Sequence, residues 1–463
     1  MSGGAAFPAD PAVRRAAILV AGLGAFLTPF MASAVNIALP AIGRAFPVSA
    51  VTLGWISTAN LLAAAALVVP LGRLADIRGR KRVFLSGIAV FSAGSLLAGV
   101  AGSVSQLIVA RVVQGVGAAA MFGTGVAILT SVLPPGERGR ALGLNVAAVY
   151  LGLSVGPFAG GWLTSALGWR SVFLANVPLG VLMSAVVLRW LKGEWAAARG
   201  ERFDLTGSLL FALTLVALLG GLTRVQQPSG LWLVVAGSAG LAAFAWWELR
   251  AASPVMDMGL LRHNTVFAMS NLAALVNYAA TSATGFLLSL SLQYLRGLTP
   301  LEAGLVLVSQ PLTMMVLSPL AGSLSDRVEP RLLASAGMAL SALGLGVMTL
   351  VGQSTPLAAI VAGLVLLGTG FGLFASPNTN AVMGSVEPRQ YGVASGFLGT
   401  MRLVGQVLSM VLAMLIFAVR LGPGAISQAP AGELVAAIRL AFVLFAALCA
   451  AGVWASLARG RVR

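Results

Sequence analysis

Between two apolar segments of the chain lies the stretch Gly72-Arg73-Leu74-Ala75-Asp76-Ile77-Arg78-Gly79-Arg80-Lys81-Arg82. It holds five cations and one acid in a protein of 463 residues that is 58% hydrophobic and only 9% charged. Soluble domains carry about 25% charged residues, so a chain of this composition is expected to lie mostly in a bilayer. Dense charge belongs where a membrane meets water, and residues 72–82 are therefore predicted to form a surface loop between two spans.

Apolar segments long enough to cross a membrane recur along the whole chain. A transmembrane helix needs about 20 mostly apolar residues in succession. Fourteen segments meet this requirement, at residues 16–39, 52–71, 83–101, 106–130, 140–166, 171–191, 205–223, 231–249, 266–294, 300–321, 332–352, 357–376, 391–419 and 434–457. The sequence predicts an all-α membrane protein with 14 transmembrane helices joined by short loops.

The distribution of positive charge predicts the orientation. Of the 29 Lys and Arg residues, 21 fall in tails and loops on the side of the N-terminus and six on the opposite side. The remaining two, Arg111 and Arg402, fall inside predicted spans. Cytoplasmic loops are rich in Lys and Arg, so both termini are predicted to be cytoplasmic in a plasma (inner) membrane. The same bias accounts for the net charge of +16 without nucleic-acid binding, because no soluble domain is present to carry it.

The lone cysteine and the lone histidine argue against an enzyme. Cys449 lies in the last apolar segment, where a thiol usually behaves as a small hydrophobe, and it has no partner for an internal disulfide. His263 lies in a short polar loop. No metal set or nucleophile–base pair is discernible, so the sequence predicts neither a catalytic site nor a bound cofactor.

Two loops recur at a nearly constant offset. Gly72-Arg73-Leu74-Ala75-Asp76 is echoed by Gly322-Ser323-Leu324-Ser325-Asp326, 250 residues later, and residues 135–143 are echoed by 388–396, 253 residues later. Repeated loops between corresponding spans indicate two six-helix halves in the same orientation. The predicted divisions are 1–195 for the first half, 196–255 for an inserted two-helix linker and 256–463 for the second half. Parallel halves around a midplane cavity favour transport by alternating access.

Several motifs in chain order carry a family resemblance. After residues 72–82 come Arg111-Val112-Val113-Gln114-Gly115-Val116-Gly117, the glycine-rich residues 152–161, and Trp169-Arg170-Ser171-Val172-Phe173. Together with fourteen spans, they resemble the major facilitator superfamily, specifically its fourteen-span drug:proton antiporter branch. The resemblance implies two six-helix bundles plus two linker helices, and multidrug export by alternating access.

The fifth predicted span combines small residues with a proline. Gly152, Gly156 and Gly160 clear one helix face and let a neighbouring backbone approach closely. Pro157 interrupts the hydrogen-bond ladder and allows a bend. Such a helix suits a sliding interface between the halves, and a tight packing face is the compatible alternative.

The bias of positive charge toward the cytoplasm explains the cations of residues 80–82, but it does not explain the acid that precedes them, Asp76. Asp76 can pair with Arg73 or Arg80, or accept from the N-terminus of a helix in the other half. The resemblance implies that this motif, which begins at Gly72, closes the cytoplasmic side in the outward-facing state. Asp326 with Arg327 is then the weaker counterpart in the second half.

Two arginines fall inside predicted spans, where a central charge costs roughly 2.5–3.5 kcal/mol or more. Such side chains normally face a cavity or a polar partner. The resemblance implies a functional role for Arg111 and Gln114. For Arg402, a clamp on backbone carbonyls and a contact with substrate both remain open.

Carboxylates are missing from the middle of the spans. All 13 acids lie in tails, loops or span ends. The fourteen-span branch typically carries an aspartate in the first span, where this chain has Met31. The proton coupling and the preference for organic cations that the resemblance implies therefore lack their usual carboxylate. Asp76 and Glu302, near the openings, are the remaining candidates for coupling the proton.

The side chains expected to line a central pocket are apolar, aromatic, amide or cationic. They are Phe30, Met31, Asn36, Phe122, Tyr150, Asn277, Tyr278, Gln310, Phe374 and Arg402, with Phe371 as a further candidate. Any one of them can equally be a helix-packing residue. As a set they favour neutral or amphipathic substrates, with an anionic group drawn to Arg111 or Arg402.

The sequence thus predicts an exporter of lipophilic or amphipathic compounds, acting as a monomer and driven by protons. A lipid or lysolipid translocator is the alternative, favoured by a cavity without carboxylates. A non-transporting membrane receptor is the third reading, disfavoured because no signalling domain is appended.

Overall fold

The computed structural model describes residues 11–225, 227–251, 258–325, 327–387 and 390–460, and the regular secondary structure in these ranges is helical. The helices are α1 Pro11–Ala45, α2 Ala50–Arg78, α3 Arg80–Gly99, α4 Val104–Val132, α5 Pro135–Leu167, α6 Arg170–Leu174, α7 Asn176–Trp190, α8 Leu205–Leu222, α9 Pro228–Glu248, α10 Met258–His263, α11 Thr265–Thr281, α12 Thr284–Leu290, α13 Pro300–Leu307, α14 Ser309–Leu324, α15 Pro330–Met348, α16 Leu357–Gly384, α17 Tyr391–Leu421 and α18 Ala431–Ala458. A π-helical turn, Ser291–Leu295, continues α12, and a 3-10 turn, Ile426–Gln428, precedes α18.

In the described part of the chain, 14 helical segments are long and apolar enough to cross a membrane. Three of them are interrupted: α6 with α7, α11 with α12 and the π-helical turn, and α13 with α14. The predicted fold class is confirmed. Several helices run past the predicted span limits, as in α1, which covers Pro11–Ala45 where residues 16–39 were predicted. Others end before them, as in α15, which ends at Met348 where the predicted span continued to residue 352.

The stretch predicted to be a loop is almost entirely helical. Helix α2 continues to Arg78 and α3 begins at Arg80, so Gly79 alone separates them. Its φ of 118° is a conformation that other residues rarely adopt, which is why a glycine can reverse the chain here in one step. Arginine and lysine are good helix formers, so the charge cluster extends the helices into water instead of ending them.

Hydroxyl caps begin several of the spans. Ser49 accepts a hydrogen bond from the backbone N–H of Thr52 at 3.2 Å, and Ser103 accepts one from Gln106 at 3.3 Å. A side-chain oxygen at this position satisfies one of the N–H groups that a helix start leaves free. The spans therefore begin where the sequence places a short polar residue between two apolar runs.

The helices form two bundles and a hairpin. In the first bundle, α1 packs against α5, and α4 packs against α2 and α3; in the second, α15 packs against α16 and α18, and α11 against α17 and α18. Helices α8 and α9 pair with each other, and α8 also touches α2 and α17. The division at residues 195/196 and 255/256 stays a prediction.

Fourteen crossings bring both ends of the described chain to one side, here called the terminus side, and the opposite side is called the far side. The two halves are joined at the far side. Gln293 donates to the Ile37 carbonyl at 2.9 Å, and the Tyr294 hydroxyl donates to the Pro40 carbonyl at 3.0 Å. The backbone N–H of Ile426 also donates to the Val48 carbonyl at 3.0 Å. The protein is thus held closed at the far side.

Candidate functional site

A small cluster of aromatic and sulfur-containing side chains lies between the halves, and is called the central cluster below. Its buried members are Tyr150, Met314, Phe371 and Ala375, with Leu153, Tyr278 and Met315 packed against them. Tyr150 comes from α5 in the first half, and the members on α11, α14 and α16 come from the second. Tyr150 and Phe371 lie near the middle of their helices, so the cluster lies at mid-depth in the membrane.

The edge-on contact between two rings shapes the cluster. The ring centroids of Tyr278 and Phe371 lie 5.1 Å apart at an interplanar angle of 82°, a favourable arrangement for aromatic pairs. The hydroxyl of Ser318 donates to the hydroxyl oxygen of Tyr150 at 2.9 Å, which links α14 to α5 across the halves. The cluster is therefore part of the contact between halves as well as a candidate pocket.

Arg402 on α17 borders the central cluster. Its Nη2 donates to the Thr379 hydroxyl at 2.6 Å, and its guanidinium carbon lies 5.9 Å from the centroid of the Tyr278 ring. Its Nε is buried and has no hydrogen-bond partner, and no ion pair to Arg402 is present in the described ranges. The side chain as a whole is only half-buried. A cation with free donors thus faces the cluster.

Replacing Tyr150 with phenylalanine is expected to weaken the link between the halves at mid-depth. The ring stays, while the bond to Ser318 is lost, and one net hydrogen bond is worth about 1 kcal/mol. The closed far-side state should then lose population roughly fivefold. Pulsed electron–electron double resonance between spin labels at the far side measures this population. Ser318→Ala is the matched partner, and the two changes combined should add nothing further.

Arg111 lies in a different place from Arg402. It is fully buried in the first half, where its Nε donates to the Ile56 carbonyl at 2.8 Å and its Nη1 donates to Gln114. Gln114 in turn donates to the Ser95 hydroxyl at 2.8 Å, and the ring of Phe173 lies 6.0 Å from the guanidinium. This network ties α4 to α2, α3 and α6, so Arg111 lies inside the bundle and away from the central cluster.

Several predicted pocket residues of the first half lie elsewhere. Met31 is buried, and its sulfur accepts a hydrogen bond from Asn176 of α7 at 3.0 Å. Phe30 is buried and stacks on Phe26 at 5.4 Å. Asn36 accepts from the Ser57 hydroxyl at 3.0 Å and is half-buried. Met31 and Phe30 therefore pack inside the first half, whereas the Asn36 amide nitrogen also lies 3.7 Å from the position a Cβ would take on Gly285 of α12, in the second half.

The remaining predicted pocket residues divide in the same way. Asn277 and Phe374 are buried inside the second half, where Asn277 lies near the Cys449 thiol. Gln310 is half-buried on α14, beside Gly368 of α16. Phe122 is exposed, and its ring lies 3.3 Å from the position a Cβ would take on Gly399 of α17. Of the predicted candidates, the structure gathers Tyr150, Tyr278, Phe371 and Arg402.

The charged segment at 72–82 binds within its own half and to the linker. Arg80 Nη2 lies 2.7 Å from Asp76 Oδ1, and the Arg80 guanidinium also donates to the Ala127 carbonyl of α4 at 3.0 Å. Arg73 pairs with Glu201 at 2.5 Å. Of the open partners for Asp76, the structure therefore selects Arg80.

The segment after α7 adds a contact that the sequence does not reveal. A carboxylate oxygen of Glu194 accepts from the backbone N–H of Lys81 at 2.8 Å, at the start of α3. A Cβ on Gly79 would lie 2.4 Å from the Glu194 carboxyl carbon, so the glycine also makes room for this carboxylate. A Cβ added to Gly72 of α2 would have open space around it, with the Gly123 carbonyl oxygen of α4 at 4.0 Å.

The counterpart in the second half is only partly visible. Asp326 lies outside the described residues. Arg327 is exposed, with its backbone N–H bonded to the Leu324 carbonyl at 3.0 Å.

The glycines of α5 lie against backbone, as their spacing predicts. A Cβ on Gly152 would lie 2.4 Å from the Phe26 carbonyl oxygen, and Cβ atoms on Gly156 and Gly160 would similarly meet α1. The carbonyl of Pro157 faces α13, where a Cβ on Gly304 would lie 2.2 Å from its oxygen. Helix α5 thus packs tightly on its own half and on the other half at once.

One buried cation escaped the sequence analysis. Arg459 is one of the 21 Lys and Arg residues assigned to tails and loops from the sequence, yet it is fully buried. It donates to Asn378 at 2.9 Å and to the Pro330 carbonyl at 3.0 Å, which joins the end of α18 to α15 and α16. Burial lowers the pKa of its guanidinium to about 10, so it stays charged near neutral pH. Its sequence context, Arg-Gly-Arg-Val-Arg, does not distinguish it from an exposed basic tail.

An open apolar groove of about 610 Å³ lies between α15 and α18. It is lined by Ala339, Ala342, Leu343, Ala446, Ala447, Ala450 and Val453. Binding sites place a few polar groups among apolar ones, and this lining has no polar side chain. The central cluster is therefore the better candidate site.

The sequence profile of the Major Facilitator Superfamily matches residues 21–269 and 270–462. The chain belongs to the major facilitator superfamily. Its relatives include the multidrug resistance protein Stp of Mycobacterium tuberculosis, 34% identical over 400 residues, which cover 84% of this chain and 73% of Stp. The cephamycin export protein CmcT of Amycolatopsis lactamdurans is 36% identical over 399 residues, or 84% of this chain and 82% of CmcT.

Not every relative is named as a drug exporter. The riboflavin transporter RibZ of Clostridioides difficile is 30% identical over 385 residues, which cover 83% of this chain and 84% of RibZ. Among solved structures, a bacterial homologue of the human lysosomal transporter Spinster, inward-facing and unoccupied, matches with a TM-score of 0.71. That match covers 98% of this chain and 99% of the other at 17% identity, and shows the fold alone. The protein is thus a multi-pass secondary transporter of the superfamily and not an enzyme.

Proposed function

We propose that this superfamily member exports lipophilic and amphipathic compounds by alternating access across a plasma (inner) membrane, with both termini in the cytoplasm. The observation that carries the proposal is the central cluster, to which both halves contribute at mid-depth. Aromatic rings and thioethers bind varied apolar shapes, because methionine adapts its conformation and rings offer flat contact surfaces. The export function named for CmcT supports the direction of transport, and the multidrug resistance named for Stp supports the substrate class.

The route of coupling is part of the proposal. The described acids lie outside the central cluster, so a proton that drives export is bound elsewhere. Asp76 and Glu302 are the proposed sites. Asp76 lies where α2, α3 and α4 meet on the terminus side, paired with Arg80, whereas Glu302 accepts hydrogen bonds from Thr299 at the far side. Protonation of Asp76 would release Arg80, which makes it the first acid to mutate.

Everted vesicles test this function directly. A neutral lipophilic dye and a cationic dye are offered with a proton gradient imposed, and the gradient is then collapsed with nigericin. We expect uptake of the neutral dye that is lost on collapse and is reduced at least about tenfold in Asp76→Asn. Glu302→Gln is the matched variant at the other opening. Uptake of neither dye by a well-expressed protein would contradict the export proposal.

A second candidate function is translocation of lipids or lysolipids. The observation that favours it is Arg402, a cation without a carboxylate partner beside an apolar cluster, which suits a phosphate headgroup with its chain. Phospholipid retained by the purified protein at a fixed ratio, together with no dye transport, would support this function in place of drug export. In either case we propose that one chain is sufficient for activity.

A further inference from the structure

We propose that Arg402 anchors an organic anion, so that the preferred substrates are amphipathic molecules with a carboxylate, sulfonate or phosphate group beside a flat apolar body. The inference rests on the proposed export function and names the substrate class of the same site. It is opposite in sign to the organic cations that the family resemblance implies.

The structure separates the two arginines that the sequence left equivalent. The donors of Arg111 are used by Ile56 and Gln114 inside the first half. Arg402 lies about 16 Å from the start of α17 along the helix axis, well within the membrane, and among the described residues its one hydrogen-bond partner is Thr379. An arginine at such depth is costly unless a partner compensates its charge. In the described part of the chain no protein carboxylate does so.

The free donors of Arg402 match an oxyanion. A guanidinium has five N–H groups in a fixed fork, which suits two oxygens of a carboxylate, sulfonate or phosphate. One group is taken by Thr379, and Nε has no partner. The Tyr278 ring lies against the guanidinium, and its hydroxyl makes no hydrogen bond within the described residues, so it offers a second donor.

The neighbouring side chains define the rest of the ligand. Met314, Met315 and Phe371 lie beside Tyr278 in the central cluster. A flat apolar body can stack on these rings while its anionic group reaches Arg402. A cationic group in the same position would meet like charge and no carboxylate, which disfavours organic cations.

The test uses one scaffold with three charges: dansylglycine, its neutral methyl ester, and the cationic dansylcadaverine. Binding to the purified full-length protein in detergent is followed by dansyl fluorescence, and export of the ester is followed in everted vesicles. A charge-assisted bidentate contact is worth about tenfold or more in affinity. We therefore expect dansylglycine to bind about tenfold tighter than the ester, and dansylcadaverine to bind weakest.

Three variants assign this preference to a residue. In Arg402→Gln, dansylglycine should bind no tighter than the ester, while affinity for the ester stays within about twofold of wild type. Arg402→Lys keeps the charge without the fork and should be intermediate. Arg420→Gln changes an exposed arginine at the far end of the same helix and should keep the full preference.

The outcomes separate the inference from the function on which it rests. Export of the ester without any preference for the anion, or a preference unchanged in Arg402→Gln, overturns the anion site and leaves the export proposal standing. If the protein neither binds nor transports any of the probes, both the anion site and the export proposal are overturned. Displacement of dansylglycine by lysophosphatidylglycerol, which is a net anion, but not by the zwitterion lysophosphatidylcholine would identify the ligand as an anionic lipid. Displacement by small organic acids alone would identify a free solute.

Discussion

Gly304→Val is expected to lower the transport rate at least about tenfold and to shift the protein toward a state open at the far side. A Cβ at this position would lie 2.2 Å from the carbonyl oxygen of Pro157 on α5, and no side-chain rotation relieves this clash because Cβ is fixed to one backbone and the oxygen belongs to the other. Overpacking typically costs 1–3 kcal/mol, and each 1.4 kcal/mol changes a population about tenfold. The clash exists only while α5 and α13 are together, so the state in which they part is favoured.

Spin labels at the far-side end of α5 and in the loop after α15 measure this shift. Ala166 in the first half and Ser354 in the second are exposed, so a cysteine introduced at each can be labelled. The native Cys449 is buried, and it is replaced by alanine so that only the introduced cysteines carry a label. The distance between the labels should lengthen in Gly304→Val. Gly346→Val is the matched control, since no atom lies within 4 Å of its added Cβ. Unchanged distances together with full transport would contradict the role of the α5–α13 contact in closing the far side.

Arg111→Ala is expected to lower the melting temperature by about 5 °C. The change leaves the Ile56 carbonyl and the Gln114 side chain without their donor and empties a space inside the first bundle. Each buried group left unsatisfied costs about 1–3 kcal/mol, so the total is about 3 kcal/mol or more. A loss of this size moves the melting point of a large protein by a few degrees.

The matched variant for stability is Arg402→Ala. Its side chain is half-buried and makes one hydrogen bond, so its melting temperature should stay within about 2 °C of wild type. Size-exclusion chromatography after heating in detergent measures both variants. If Arg111→Ala kept its melting point and lost transport, Arg111 would have the direct functional role that the family resemblance implies.

Residues 72–82 show how much of the local structure the pattern of charge predicts. Their charge density correctly placed them between the second and third spans, because charged side chains avoid the hydrocarbon region whatever the fold. The predicted loop was wrong in length, because α2 and α3 continue through these residues and only Gly79 interrupts them. Glu194 and Glu201, which complete their contacts, lie more than 100 residues later and carry no local signal.

The pocket residues show a second limit. Met31 and Asn277 have plausible spacing on their spans, yet both face the interior of their own half. In a transmembrane helix every face is apolar, so hydrophobic periodicity does not separate a side facing a neighbouring helix from a side facing a cavity. Arg111 and Arg402 look alike in sequence for the same reason.

Length, hydropathy and the bias of Lys and Arg by themselves determined that this chain is a 14-span membrane protein, because the cost of placing charge or unpaired backbone in a bilayer acts on each segment independently. Chain-order motifs determined the superfamily. Only the tertiary structure decided that Tyr150, Tyr278 and Arg402 meet while Arg111 is enclosed, and that the halves close at the far side. Those facts depend on how helices rotate about their axes and which neighbours they meet, and that is set by packing between segments distant in the sequence.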